Sequence, residues 1–524
     1  MNQQEQETTI QDAQSFWAWA ALQPQRLALV THDHQQVTAG ELLKRVNQLS
    51  HGLRAAGLGE GDLVALMAPN DPVFFELFLA TSQVGMFLSP INYHLSSEET
   101  SYILHNSDAK LFVAHGRCAA VAQQAAAVAG IQRCYWVGEP IPGFEPFDNL
   151  LQGQPATLPE QRSAGTLMLY TSGTTGKPKG VRRSLPGADP EVMASLTSFL
   201  GALFDIPPGT GAHLLTGPLY HATPSMMGPA VLHMGVPVVI MDKWTPEGTL
   251  ERIARYRITS SNMVPTMFHR MLKLPEAQRT QHDLSSLRSV ITTGAPCPAK
   301  TKEDILDWWG DVLFELYGGT EGVGTTIRPE EARLHPGSVG RAIPGSKIYI
   351  MDDTFQELPP GEVGTVYILP ILGDFEYYKD AQKTSQVKRG DLITVGDVGY
   401  LDEEGWLHLT DRKIDMIISG GVNIYPAEIE AILIQHPLVA DVAVFGIPDE
   451  EWGESVKAAV ETAPGVPHSQ EVADTLLSFA AEHIARYKVP RSIDFVAELP
   501  RLPSGKVLKR RLRGPYWEAA GRQI

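Results

Sequence analysis

The chain is 524 residues long, with 43 Lys and Arg against 60 Asp and Glu, a net charge of −17. Ordinary apolar and charged fractions, 43% and 20%, exclude a disordered chain, a collagen and a disulfide mini-protein, and the length implies more than one folding unit. The acidic balance argues against nucleic acid or an anionic membrane as partner.

The three cysteines, Cys118, Cys134 and Cys297, have no CxxC spacing. Neither a zinc site nor a disulfide framework is indicated, and a reduced, cytoplasmic setting fits. Residues 1–5 are polar and acidic, unlike a signal peptide. The longest apolar stretch, 73–88, contains Glu76 and falls short of the roughly 20 residues of a spanning helix. It reads as a buried helix running into a strand. Nothing in the sequence sets an oligomeric state.

In chain order, apolar spacing predicts a helix over 39–56 and a buried strand at 62–67. A helix at 73–84, a strand at 86–89, a helix at 98–106 and a strand at 110–114 follow. Such alternation implies βαβ units and parallel sheet. Further strands are expected at 166–170, 212–215, 236–241, 289–292 and 312–316. Beyond about Gly340, Gly/Pro turns crowd together and suggest a small antiparallel β unit. After Arg412 a compact α+β segment is expected, with helices at 427–435 and 470–486 and strands at 439–445, 457–460 and 491–495. The fold class is α/β: a large N-terminal domain over 1–411, of βαβ sheets plus a small β unit, and a small mobile α+β domain over 412–524.

The most specific stretch is Tyr170-Thr-Ser-Gly-Thr-Thr-Gly-Lys-Pro-Lys-Gly180. Its glycines permit turns that expose backbone N–H groups. Hydroxyls at Thr171, Ser172, Thr174 and Thr175 add donors, and Lys177 and Lys179 add charge, which suits a polyphosphate. It is not a Walker loop, because Pro178 follows Gly176-Lys177. Generic Ser/Gly/Thr loops are usually just surface loops. Here the whole string resembles the phosphate loop of the adenylate-forming superfamily of acyl-CoA synthetases, adenylation domains and luciferases.

The resemblance recurs in order along nearly the whole chain. Thr293-Gly294-Ala295-Pro296 resembles the segment lining the adenine site, and Tyr317-Gly318-Gly319-Thr320-Glu321 the adenine-stacking and metal motif. The resemblance implies that Tyr317 packs on the base, that Thr320 bonds phosphate or acyl oxygens, and that Glu321 holds Mg²⁺. It likewise places Gly173 in the phosphate loop, and Asp397 and Arg412 on the ribose, with Arg412 reaching ribose or phosphate. The family's pivot is usually Lys or Asp two residues after that arginine; this sequence has Ile414 there. Ser419-Gly420-Gly421 resembles the segment bordering a pantetheine tunnel. Leu499-Pro-Arg-Leu-Pro-Ser-Gly-Lys506 resembles the loop of the catalytic lysine, Lys506. His221 borders the acyl pocket of relatives; if Gly319 and Gly322 line it too, their small size leaves room for a bulky acid, and otherwise they serve only the backbone.

The reaction implied is a carboxylic acid plus ATP giving an acyl-adenylate and pyrophosphate, then transfer to coenzyme A with release of AMP. Fatty, alicyclic and aryl acids all fit. No covalent nucleophile is required, so Cys297 is dispensable. No fused carrier domain is expected; a separate carrier protein's phosphopantetheine is the alternative acceptor. A luciferase-like oxygenase has no feature that demands it, and a non-catalytic nucleotide-binding protein is the reading of another class. Relatives often carry Ser-His soon after the phosphate loop, where this chain has Arg182-Arg183-Ser184-Leu185. The run 501–513 holds six basic residues and no acidic one, either to help hold phosphates or as a solvated tail.

Overall fold

In the computed structural model the expected strand at 62–67 forms as Leu63–Met67, every residue buried. It is the middle of an all-parallel ladder ordered Glu145–Pro146, Cys134–Val137, Leu111–His115, Leu63–Met67, Phe87–Ile91, Thr166–Leu167. The structure describes residues 15–171, 178–295, 297–371, 373–412, 415–419, 422–449, 452–501 and 507–520.

The helix Pro72–Ser82 is apolar on nearly all sides, as a helix packed on every face must be. Asp71 caps it, accepting from the Val73 N–H, and Pro72 opens it where a missing N–H costs nothing. Its Phe74, Phe75, Leu77 and Leu79 join one core with the helix Ala39–Ala55 and strands of a second large sheet. That sheet has nine strands, and its central six are parallel. Both faces are covered, as parallel sheets require.

The small β unit is a six-stranded antiparallel sheet that includes Lys347–Met351, Gly364–Leu369, Asp397–Leu401 and Leu407–Arg412. The next strand, Ile417–Ser419, belongs to a separate five-stranded sheet with Val422–Ile424, Gly453–Thr462, Val439–Asp449 and Ser492–Val496. The helices Pro426–Leu433 and Gln470–His483 pack on that sheet around their own apolar cluster.

Three features differ from the sequence reading. The expected strand at 166–170 is two strands. Thr166–Leu167 ends the parallel ladder, whereas Leu169–Thr171 pairs with Lys179–Arg183 in a three-stranded sheet. A short helix, Phe16–Leu22, was not expected. Its Phe16, Trp17 and Trp19 are buried, the Phe16 N–H donates to His233 Nδ1 at 3.1 Å, and Trp19 Nε1–H donates to the Leu232 carbonyl at 3.0 Å. The basic run is tied down in part: Arg501 pairs with Asp441, and Lys509 Nζ lies 2.8 Å from Glu430. The helix Lys509–Ala519 then packs through Trp517, whose Nε1–H reaches the Gly446 carbonyl at 3.1 Å. Among the described residues no helix is long and apolar enough to cross a membrane.

Candidate active site

Four neighbouring parallel strands end at one edge of the nine-stranded sheet: Leu313–Gly318, Ser289–Thr292, Ser260–Met263 and His213–Leu215. Carboxyl ends of parallel strands are where open α/β sheets bind ligands. The chain places Tyr317, Thr320 and Glu321 on or after the first, Gly294 and Ala295 after the second, and His221 after the fourth. Gly294 has φ +86°, a conformation that favours glycine.

The phosphate loop is closed at its base. Thr171 lies in register with Lys179, so residues 172–178 connect two antiparallel strands. The strand Lys179–Arg183 also pairs with Phe375–Tyr377, setting Val181 opposite Tyr377 and Arg183 opposite Phe375. This ribbon meets the turn after Tyr317, where Gly319 N–H donates to Gly322 O at 2.8 Å. The Tyr377 hydroxyl donates to Glu321 Oε1 at 2.7 Å, and Lys179 Nζ lies 5.4 Å from the centre of the Tyr377 ring. Glu321 is buried. Burial, reinforced by Glu321, pushes the Tyr377 phenol well above its usual range, so it remains a donor. Burial, with Lys383 nearby, lowers the Lys179 ammonium.

Asp397 is buried at the start of its strand, in register with Arg412. The Tyr317 ring is held in the apolar cluster of the β unit with Val181, Val339 and Ile368. His221 stands at the N-cap of the helix Ala222–His233 without capping it. Its Nε2 is buried with no hydrogen-bond partner among the described residues, and burial depresses it to about 4, so the ring is neutral at pH 7. The neighbouring Tyr220 hydroxyl is likewise buried and unpartnered there.

The glycines at 319 and 322 do not open space in the direction a side chain would take. A Cβ on Gly322 would sit 2.6 Å from Ile393 Cδ1, and one on Gly319 would sit 2.7 Å from Glu321 Oε2 and 2.9 Å from Val395. Their small size lets the metal-motif turn pack on the β unit, which is the backbone role of the two readings. Cys297 is buried and pushed up to about 12, a thiol with no thiolate to offer at neutral pH.

The expectations for Ser172, Gly173, Thr174, Thr175, Pro296, Ile414, Gly420, Gly421 and Lys506, and for the side chain of Arg412, lie outside the described residues. The ends of the lysine loop are described: Arg501 and Val507 form an antiparallel bridge, and Leu508 N–H donates to Pro500 O at 2.7 Å. Asp441, which pairs with Arg501, adjoins a contact between the large unit and the small one. His269 Nε2 lies 2.9 Å, and Lys273 Nζ 3.1 Å, from the Ala440 carbonyl.

No group of three or more His, Cys, Asp or Glu among the described residues is placed to hold a metal ion. Glu321 instead offers one buried carboxylate with, among the described residues, a single hydrogen bond on Oε1. That donor set fits Mg²⁺, which prefers oxygen ligands and is often held by one or two carboxylates together with substrate phosphates.

The family model of AMP-binding enzymes matches residues 16–369, and that of the AMP-binding enzyme C-terminal domain matches 428–506. The chain belongs to the AMP-binding enzyme family. A fatty acid–[acyl-carrier-protein] ligase of Streptomyces coeruleorubidus is 32% identical over 502 residues, covering 93% of each chain. A feruloyl-CoA synthase of an Amycolatopsis species is 33% identical over 487 residues, covering 92% of this chain and 95% of that one. Among solved structures, an anthranilate CoA ligase in complex with anthranoyl-AMP superposes with TM-score 0.87 at 26% identity, covering 97% of this chain and 98% of that one. This AMP-binding enzyme thus shares the α/β architecture of adenylate-forming enzymes, with a large N-terminal and a small C-terminal unit. Of the residues that meet Glu321, Tyr377 through its hydroxyl had no place in the sequence reading, and Arg183 through its guanidinium entered it only as part of the departure after the phosphate loop.

Proposed function

We propose that this AMP-binding enzyme is an acyl-CoA synthetase. It joins a fatty, alicyclic or aryl monocarboxylic acid to coenzyme A through an acyl-adenylate, with release of AMP and pyrophosphate. The observation that carries this reading is the cluster at the base of the phosphate loop, where Glu321, Tyr377 and Lys179 come together.

A carboxylate is a poor acyl donor because oxide is a poor leaving group. In the first step a carboxylate oxygen bonds to the α-phosphorus of ATP and the bond to pyrophosphate breaks. Two anions must approach, so the protein's contribution is positional and electrostatic. Thr171, Ser172, Gly173, Thr174 and Thr175 hold the β- and γ-phosphates with N–H and O–H donors. Lys179 adds positive charge at the loop base. Tyr317, with Gly318, packs on the adenine, and Gly294, Ala295 and Pro296 line it. Asp397 accepts from the ribose hydroxyls, and Arg412 contacts ribose or phosphate. Glu321 would hold Mg²⁺, which supplies charge neutralisation at phosphate oxygens. Thr320 bonds a phosphate or acyl oxygen, and Lys506 spans the carboxylate and α-phosphate. His221 borders the acid, and Gly319 and Gly322 shape the turn beside it.

In the second step a thiolate attacks the acyl carbon of the mixed anhydride and AMP leaves. Gly420 and Gly421 give the thiol arm room beside the backbone. We place the division between the two domains at 411–412; rotation of the 412–524 domain exchanges the Lys506 loop for the glycine segment.

A second reading, an acyl-AMP ligase loading a carrier protein, is favoured by the name of the Streptomyces relative. Purified protein incubated with Mg-ATP, coenzyme A and a panel of acids, followed by mass spectrometry, separates the readings. Acyl-CoA with stoichiometric AMP supports the synthetase. Adenylate without acyl-CoA supports the carrier ligase, and ATP binding without turnover supports a non-catalytic protein.

A further inference from the structure

Arg182 and Arg183 follow the phosphate loop on the strand Lys179–Arg183, and the structure gives them separate tasks. Arg182 lies between two rings, 4.6 Å from the centre of Phe87 and 4.5 Å from that of Tyr378. Arg183, next along the strand, reaches the metal-motif turn. Its Nη2 donates to the main-chain carbonyls of Thr320 at 3.1 Å and Glu321 at 2.7 Å, and its Nη1 to that of Gly373 at 3.1 Å.

The chemistry of these contacts is specific. A guanidinium is a planar fork of five donors, always charged. Aimed at the Glu321 carboxylate, it would neutralise the group and occupy its lone pairs. Aimed at the two carbonyls of the turn, it fixes the main chain and leaves the carboxylate to Tyr377 and a cation. The same side chain grips Gly373, just before the strand Phe375–Tyr377 that brings the Tyr377 hydroxyl to Glu321. One side chain thus holds both segments to the strand that leaves the phosphate loop.

We propose that Arg183 is a positioning residue that sets the Glu321 carboxylate for its cation by clamping the Thr320 and Glu321 carbonyls to the strand Lys179–Arg183. The inference rests on the reading of Glu321 as the metal carboxylate. It makes Arg183 part of the adenylation machinery through the turn that it holds. Lysine, a compact point charge, cannot reproduce the fork.

The test is Mn²⁺ affinity in the presence of ATP and absence of acid, read from the paramagnetic resonance signal of free Mn²⁺. Losing a charged donor to two carbonyls is expected to weaken Mn²⁺ binding about tenfold in Arg183→Ala. In turnover assays the acid KM should stay within about twofold of wild type, and excess metal should restore most of kcat. Arg183→Lys should give an intermediate shift at nearly unchanged melting temperature, and it carries the test if the alanine variant does not fold. Wild-type Mn²⁺ affinity in both variants, with Glu321→Gln weakened, overturns the clamp alone. Wild-type affinity in Glu321→Gln overturns the reading of Glu321, and the clamp with it. Parallel loss of metal affinity, acid KM and melting temperature, with no rescue by lysine, reduces Arg183 to a packing residue and also overturns the proposal.

Discussion

The Tyr377 hydroxyl donates to Glu321 Oε1 at 2.7 Å, joining a strand of the phosphate-loop ribbon to the turn that follows Tyr317. Hydrogen bonds to charged groups contribute about 1.5–3 kcal/mol, so Tyr377→Phe should lower kcat/KM for adenylation about tenfold or more. The effect should be absent when pre-formed acyl-adenylate is supplied. Equal loss in both half-reactions, measured by pyrophosphate exchange and by thiolysis, would remove Tyr377 from the adenylation site.

Lys506→Ala should abolish adenylate formation yet leave transfer from supplied acyl-adenylate to coenzyme A largely intact. Gly421→Leu should do the reverse. Separate assays of the two half-reactions check both; a matching loss in each variant would end the division of labour between the lysine loop and the glycine segment.

The interior ion pair of Lys302 and Glu315 sits next to the site, with Lys302 Nζ also donating to the Ser338 carbonyl at 3.2 Å. Both residues are buried. Breaking a buried pair on one side leaves an unpaired charge and costs about 3–5 kcal/mol. Lys302→Ala should therefore lower the urea midpoint markedly, and Lys302→Ala with Glu315→Leu should recover much of the loss. A double variant no more stable than the single one would contradict this account.

Acid should weaken the N-terminal packing. Burial depresses His213 to about 4 and His233 to about 3. Below the ordinary histidine value of 6.5 the unfolded chain takes up protons that these native rings refuse, so stability falls as pH drops from about 6.5 toward 4. His233 Nδ1 accepts the Phe16 N–H, a bond available only to the unprotonated nitrogen. His233→Asn should flatten the pH dependence of the melting temperature between pH 7 and 4.5; an unchanged slope would assign it to other groups.

His269 and Lys273 hold the Ala440 carbonyl, one residue from the Asp441 partner of Arg501. Lys273→Ala should loosen the small unit against the large one. The expected readout is faster proteolytic cleavage near 412–417 with unchanged melting of the large unit. Unchanged cleavage would show that this contact does not hold the arrangement.

Hydrophobic period and turn residues made the parallel strands legible. Leu63–Met67 and Ser289–Thr292 form where an apolar run between turn signals places them. The order of motifs made Glu321 and Asp397 legible as candidates. Tyr377 was not legible, because its role depends on a strand pairing, Val181 opposite Tyr377, between segments almost two hundred residues apart. The helix Phe16–Leu22 was missed because seven residues give too short a period to read. Gly322 stayed open between two readings because a glycine in sequence does not say whether its missing side chain leaves a cavity or admits Ile393.

The chain changes sheets at Met168: Thr166–Leu167 finishes the parallel ladder and Leu169–Thr171 opens the ribbon that carries the phosphate loop. The ribbon closes the base of that loop, but its first strand is set by the ladder, where the Met168 N–H donates to the Leu88 carbonyl at 3.0 Å. During refolding, nucleotide affinity should therefore return after most of the secondary structure, once the two sheets have joined. By the same linkage, nucleotide at a hundred times its Kd adds about 2.7 kcal/mol against unfolding, and that protection extends to strands far from the bound phosphates.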